Sequence, residues 1–347
     1  MKTCRQCVLP ENFPGIKFNE GTICQHCQRH GQAASTESLK QKYRDKLSKV
    51  IREVRSRAAF DVMVSYSGGK DSSYTLKLLK QEYDLNILAV TFNHGFLSSQ
   101  ALKNAETVTR ALNIDHLMFT PGQEALYRAF RNSMDTDLYS LKELQRASSI
   151  CLTCMHLIKS FILKCSFEMN IPLIAYGWSP GQVAFRSAVV PLNSAMIQQM
   201  QKAVARTLRH LMGNDLKPFV LGENHFGMPH KEGGKAGGFP LFSIHPLAVL
   251  PYHEENILAE IGRLGWQAPA DTDSNSTNCL LNGLANQVHV SRYGFHPYAY
   301  EIAGLVRNGW MDREAGFQKL AAPLDEDVVR YVRMKLRTER GNSAPSE

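Results

Sequence analysis

The chain has 347 residues, 44% of them hydrophobic, which is enough to bury one sizeable core and one or two smaller units. Its 40 lysines and arginines against 32 aspartates and glutamates give a net charge of +8, which suits an anionic ligand but also fits a plain basic surface. No run reaches the apolar length of a membrane span, and no signal-like stretch opens the chain, so we expect a cytoplasmic protein without a membrane partner.

Eight cysteines in a chain without an export signal indicate metal ligands or catalytic thiols rather than disulfides. Four of them form two CxxC pairs within the first 31 residues, the spacing typical of a zinc ribbon. The predicted ligands are Cys4, Cys7, Cys24 and Cys27. We expect structural Zn²⁺; an iron–sulfur cluster or redox thiols remain open, and His26 and His30 are not expected to bind the metal.

An amphipathic helix is predicted over residues 37–58, because its apolar side chains recur at helical spacing. From residue 60 the pattern alternates between strand and helix. The predicted strands are 60–67, 86–93, 115–121 and 171–177, and the predicted helices between them are 71–83, 98–113 and a region around Cys151 and Cys154. This alternation predicts an α/β fold with a parallel sheet, which binds ligands beyond the carboxyl ends of its strands.

The second half is less regular. It predicts helices over 193–213 and 251–266, a glycine-rich loop over 230–239, a polar loop over 271–279 and a C-terminal helix from 311. We therefore expect five segments, which are a zinc ribbon (1–31), a linker helix (32–58), the α/β core (59–182), an acceptor-binding and helical C-terminal region (183–335) and a disordered tail (336–347).

The stretch SGGKDS, residues 67–72, lies between the first predicted strand and its helix. The glycines allow close backbone approach to an anion, and the helix N-terminus offers N–H groups to a phosphate. Lys70 adds a point charge, and Asp71 can cap the helix or hold Mg²⁺ through water. The alternative is an ordinary glycine turn before a capped helix; the spacing is not that of a Walker loop.

This hexapeptide resembles the SGGxDS signature of the PP-loop ATP pyrophosphatases, over roughly residues 60–180. The resemblance implies an adenine nucleotide alpha hydrolase-like fold, ATP and Mg²⁺ as cofactors, and transfer of AMP to a substrate oxygen, with Lys70 and Asp71 in catalytic roles. The implied nucleotide-binding positions are Ser67, Gly68, Gly69, Lys70, Asp71, Ser72, Thr91, Asn93 and Gly177.

Cys151, Cys154 and Cys279 form a second constellation. Three cysteines can hold three irons of a 4Fe–4S cluster and leave the fourth iron open. Free buried cysteines, or a catalytic disulfide or persulfide, remain open as alternatives. The order and spacing are similar to those of the iron–sulfur tRNA thiolases. Cys165 has apolar neighbours and is expected in the core.

The first 31 residues, the SGGKDS region and the segment 292–317 also resemble the N-acetyl sugar amidotransferases, although this chain has Gly177-Trp178-Ser179 where those enzymes commonly carry a Gly-Glu. The resemblance implies a sugar nucleotide acceptor and ammonia from a partner glutaminase subunit. Sulfur insertion into tRNA or a small metabolite, with a sulfur donor, is the alternative, and a non-catalytic nucleotide-binding module is a third. A homodimer is possible. Candidate acceptor contacts are Arg186, His225, His230, Arg292 and His296.

Overall fold

The computed structural model describes residues 2–31, 36–222 and 241–337, and within them six strands form one sheet. The strands are β1 (Val62–Ser65), β2 (Ile87–Phe92), β3 (Asp115–Phe119), β4 (Leu173–Tyr176), β5 (Val189–Leu192) and β6 (Leu241–Ile244). Their order is β3-β2-β1-β4-β6-β5. All neighbours are parallel except β5, which runs antiparallel to β6. The predicted α/β class with a mostly parallel sheet is confirmed.

Helices cover both faces of this sheet. Those of the first half are α1 (Gln25–Gly31), α2 (Thr36–Val54), α3 (Lys70–Gln81), α4 (Ser99–Ala111), α5 (Gln123–Asp135), α6 (Leu141–Leu144) and α7 (Ser149–Glu168). Those of the second half are α8 (Ser194–Met212), α9 (Glu254–Gly262), α10 (Leu281–Tyr293), α11 (Ala299–Arg307), α12 (Arg313–Ala321) and α13 (Glu326–Arg337). Short 3₁₀ helices span Phe185–Ser187, Gly213–Phe219 and Pro246–Ala248.

The strands β1, β2 and β4 are almost entirely buried, as expected for strands covered on both faces. One face packs on α5, α7, α8, α10 and α13 through a core that includes Phe130 and Ile162. The other packs on α2, α3, α4 and α9 through a core that includes Leu47 and Leu79. The helix predicted over 37–58 belongs to this second core through α2.

The four predicted strands are confirmed with shorter bounds. The helices predicted over 71–83 and 98–113 are confirmed as the slightly shorter α3 and α4. The strands β5 and β6 were not predicted, because neither shows a clean alternation and both fall in the irregular second half. The glycine-rich loop over 230–239 lies outside the described residues. So does most of the predicted tail, although Leu336 and Arg337 belong to α13.

The helix α7 contradicts one expectation, because it is long and apolar enough by length and composition to cross a membrane. Half of its most apolar 18-residue stretch is buried inside the protein. Its side chains Leu157 and Ile162 are fully buried in the first core. Such burial is typical of a core helix, and its composition follows from its position between the sheet and its neighbouring helices.

The N-terminal four-cysteine segment packs on the C-terminal helical region. The four-cysteine segment buries Leu9 and Phe13 against Phe295 and Ile302 of the C-terminal helical region. Arg313 donates hydrogen bonds to the carbonyl oxygen of Cys4 at 2.9 Å and to that of Cys7 at 3.1 Å. The N-terminal unit is therefore held against α11 and α12 rather than against the sheet.

We predict that Gly68→Ala impairs ATP binding by about tenfold or more, because Gly68 has φ of +72° and an added Cβ would lie 2.0 Å from the carbonyl oxygen of Ala101. The matched control is Gly262→Ala, whose Cβ would meet nothing within 4 Å. Isothermal calorimetry with ATP and a thermal melt measure both variants. Equal ATP affinity in the two variants would contradict the prediction.

Candidate nucleotide site and metal centres

The loop 66–69 joins β1 to α3 at the middle of the sheet. Here β1 lies between β2 and β4, and the chain order reverses across it, which makes the site a topological switch point. A cavity of about 260 Å³ opens at this point. It is lined from four separate segments, at residues 65–72, 155–159, 176–182 and 275–278, together with Tyr298.

The conformation of the loop is fixed by contacts to its backbone. The carbonyl oxygen of Gly68 accepts a hydrogen bond from the Trp266 indole N–H at 2.9 Å. The side-chain oxygens of Ser67 and Ser72 lie 3.1 Å apart, and Ser72 also donates to the carbonyl oxygen of Gly69. The loop therefore wraps around the first turn of α3, where backbone N–H groups favour an anion.

Lys70 is buried and held by three polar groups. Its ammonium lies 2.7 Å from the Tyr252 hydroxyl, 3.0 Å from the Glu254 carboxylate and 3.4 Å from that of Asp71. Burial opposes its charge, but the carboxylates of Asp71 and Glu254 outweigh that effect and raise the pKa of Lys70. The Tyr252 hydroxyl also donates to Asp71 at 2.9 Å. Lys70 is therefore a charged lysine whose position is set by residues far away in the sequence.

Two contributions to the cavity were not recognised in the sequence. The backbone N–H of Lys70 donates to the Thr277 hydroxyl at 2.9 Å, so the polar loop 271–279 forms one wall. Lys159 of α7 lines the cavity with its ammonium 4.1 Å from the centre of the Trp178 ring. Burial lowers the pKa of Lys159 to about 8. A bound phosphate would stabilise the charged form of this lysine.

The remaining predicted nucleotide contacts divide into two groups. Gly177 lines the cavity, and a Cβ there would lie 2.5 Å from the Cα of Ser72, so β4 approaches α3 closely. Thr91 is fully buried, and its hydroxyl lies 2.7 Å from His116 Nε2. Asn93 lines a separate cavity of about 590 Å³. The fold thus brings Gly177 to the loop cavity but not Thr91 or Asn93.

Cys151, Cys154 and Cys279 converge from α7 and the polar loop. Burial and the neighbouring thiols raise the pKa of Cys154 and raise that of Cys279 to about 12. Cys151 Sγ lies 3.9 Å from Asn282 Oδ1, which also accepts a hydrogen bond from the Tyr298 hydroxyl at 3.0 Å. Since Tyr298 lines the loop cavity, Asn282 connects the Cys151 thiol to the wall of that cavity.

The three thiols do not form a site for a single ion. In the part of the chain that the structure describes, only the four N-terminal cysteines form a group of three or more donors within 4.8 Å of one another. A cluster places its thiolates on separate irons, so a wider arrangement is compatible with it. His94 was not singled out in the sequence, yet its Nε2 lies 3.8 Å from Cys279 Sγ. Burial lowers the pKa of His94 to about 4.

The four N-terminal cysteines are buried, and their Sγ atoms fit a tetrahedral ion. The Sγ atoms of Cys4 and Cys27, and those of Cys7 and Cys24, lie 3.8 Å apart. A tetrahedron with metal–sulfur bonds of about 2.3 Å has edges of about 3.8 Å. Hydrogen bonds from Cys27 and Cys7 lower the pKa of Cys24, which favours a thiolate in the group. The donor set can therefore hold one metal ion.

The candidate acceptor contacts are dispersed. Arg292 forms an ion pair with Asp137 at 2.6 Å, as expected for a structural arginine. The Nδ1 atom of His296 accepts the backbone N–H of Tyr298 at 3.2 Å. Arg186 lines a different cavity from that of the loop. His225 and His230 lie outside the described residues.

No known family profile matches the chain. An uncharacterised protein of Methanocaldococcus jannaschii is 25% identical over 284 residues, which are 80% of each chain. The glutamine-hydrolysing GMP synthase of Thermus thermophilus is 36% identical over 92 residues. That match covers 26% of this chain, which thus spans only 18% of the synthase. The local match to GMP synthase fits the resemblance to PP-loop ATP pyrophosphatases.

Among solved structures, a U34-tRNA thiolase of Methanococcus maripaludis with its 4Fe–4S cluster overlaps 97% of this chain and 88% of its own. Its sequence identity is 16% and its TM-score 0.37.

We predict that the purified chain carries one zinc ion, which is lost in Cys24→Ser together with thermal stability, because one thiolate of a closed tetrahedron is removed. The matched control is Cys165→Ser, whose half-buried thiol lies outside the group. Elemental analysis and a thermal melt measure both variants. Full zinc content in Cys24→Ser would contradict the assignment.

Proposed function

We propose that the chain binds ATP at the loop 67–72 and transfers AMP to an amide or carbonyl oxygen of an acceptor, releasing pyrophosphate. The observation that carries this proposal is the loop itself, at the switch point of a parallel sheet and at the start of α3. The cationic side chains of Lys70 and Lys159, both lining the same cavity, support it. The compartment stays a prediction, as does a homodimer.

The chemistry replaces a poor leaving group by a good one. The acceptor oxygen forms a bond to the α-phosphorus as the bond to pyrophosphate breaks; a nucleophile then bonds to the acceptor carbon, and AMP departs with the oxygen. The loop N–H groups and Lys70 would stabilise charge on the phosphates. Asp71, at the cavity edge, offers the hard oxygen that Mg²⁺ binds together with phosphates and water, and Mg²⁺ would neutralise phosphate charge.

We propose that the segments of the chain have the functions that the sequence predicts for them. The segment 1–31 is the metal-binding unit, here proposed to hold Zn²⁺, and 32–58 links it to the ATP-binding core at 59–182. The region 183–335 would hold the acceptor, although its polar loop also forms a wall of the ATP site.

Ammonia is the first candidate for the incoming nucleophile. It is the donor in the N-acetyl sugar amidotransferases that the chain resembles, and the locally similar GMP synthase is a glutamine-hydrolysing enzyme. The acceptor would be an N-acetyl sugar nucleotide and the product an amidine. A partner glutaminase subunit would supply the ammonia.

Sulfide is the second candidate, and one observation favours it. Cys151 and Cys154 of α7 lie near Cys279 of the polar loop, and Cys151 and Cys279 lie near Tyr298, which lines the loop cavity. Their arrangement is compatible with a 4Fe–4S cluster, which would supply an iron site for a sulfur atom. The acceptor would then be tRNA or a small metabolite.

We predict that Lys70→Ala and Asp71→Ala abolish pyrophosphate release, because they remove phosphate and metal contacts at the loop. The control is Lys77→Ala on the same helix, whose ammonium pairs with Glu260 on α9 instead. A coupled pyrophosphate assay with candidate acceptors measures all three. Undiminished release by either loop variant would refute the roles assigned here.

For the second candidate, we predict that anaerobically purified protein contains about four irons and four sulfides, the content of one 4Fe–4S cluster. These are lost in Cys279→Ser but kept in Cys165→Ser. Iron and sulfide analysis measures both variants. Iron-free native protein that still forms an amidine from ammonia would decide for the first candidate.

A further inference from the structure

A second cavity, here called the basic cavity, lies on the other side of the segment 179–182 from the loop cavity. Its volume is about 370 Å³. The four-cysteine unit, α2, the segment 180–186 and α11 form its walls. The lining cations are Arg29, Lys40, Arg146, Arg186 and Arg307, accompanied by His26 and His30. No aspartate or glutamate is among the lining residues.

One of these five side chains, Arg307, lies 3.9 Å from the Cys7 thiol of the four-cysteine unit. Within the residues that the structure describes, none of the ion pairs involves any of them. Four of them, Lys40, Arg146, Arg186 and Arg307, lie over aromatic rings instead, and two of these contacts are close. The Arg146 guanidinium lies 3.9 Å from the centre of the Tyr300 ring, and the Lys40 ammonium 4.6 Å from that of Trp310. Such contacts orient a cation and leave its N–H groups available to a ligand.

The basic cavity and the loop cavity share a wall. Gln182 lines the loop cavity, whereas Gly181 lines the basic cavity. The wall is fixed from α11, because Glu301 accepts a hydrogen bond from Ser179 at 2.7 Å. Tyr298 and Tyr300, at the start of that helix, line one cavity each. A ligand bound at one cavity is therefore adjacent to the other.

We propose that the basic cavity binds the diphosphate group of a nucleotide-linked acceptor, whose reacting group is thereby placed near the loop cavity. Arginine forks match phosphate oxygens bidentately, and four of the five cations are arginines. Their convergence on one cavity suits a compact, multiply charged anion. An RNA backbone would instead require cations spread along its path. This inference rests on the proposed function for its catalytic consequence.

The test uses the full chain with its loop site filled by α,β-methylene ATP and Mg²⁺. UDP is then titrated as the probe, by calorimetry and by fluorescence. Of the three tryptophans, Trp310 lines the basic cavity, whereas Trp178 lines the loop cavity and Trp266 supports the loop. We expect UDP to bind and to change the emission of the native chain but not that of Trp310→Phe.

The double variant Arg146→Gln/Arg186→Gln is expected to weaken UDP binding by about tenfold or more, because two charge-assisted contacts are removed. Both arginines are exposed at the rim, so the fold should persist. The control is Arg110→Gln/Arg330→Gln, which removes the same charge from exposed arginines paired with Glu106 and Asp327. It should keep the native affinity.

UDP that does not bind, or that binds both double variants equally, would overturn the inference. So would a single-stranded RNA whose binding depends on Arg146 and Arg186 while UDP binding does not. If the ATP analogue does not bind but UDP binding depends on these arginines, the proposed function fails and the anion site stands. If AMP forms but UDP binding does not depend on Arg146 and Arg186, only the inference about the basic cavity fails.

Discussion

The backbone turn at Gly68 is the constraint on which the site depends. Its positive φ and its contact with Ala101 leave no room for a side chain, and the Trp266 indole holds its carbonyl oxygen. This turn directs the chain from β1 into α3, so that the start of the helix faces the cavity. Gly177 permits the matching approach of β4 from the other side.

Side chains from the C-terminal half complete what the turn begins. The Thr277 hydroxyl accepts a hydrogen bond from the backbone N–H of Lys70, and Tyr252 and Glu254 contact the Lys70 ammonium. The helix α11 then links the loop cavity, the basic cavity and the four-cysteine unit. The region expected to bind the acceptor thus also orders the loop 66–69, through Thr277 and Trp266.

The sequence predicts the local features well. The hexapeptide 67–72 and the two N-terminal CxxC pairs are contiguous motifs, and the predicted strands around the loop are confirmed. Tyr252 and Thr277 could not be predicted, because their contacts with Lys70 join residues 182 and 207 positions apart in the chain. Lys159 could not be predicted either, because it reaches the loop cavity from α7. Thr91 was predicted as a nucleotide contact because it lies near the end of a strand. Its hydroxyl instead lies against His116, a contact that the sequence does not reveal.

The most direct test of the central claim follows one oxygen atom. An acceptor whose amide or carbonyl oxygen is labelled with ¹⁸O is incubated with the chain, ATP, Mg²⁺ and the incoming nucleophile, and the nucleotide product is analysed by mass spectrometry. The account predicts AMP that carries the label, with one pyrophosphate released per turnover. Formation of ADP, or of AMP without the label, would contradict it.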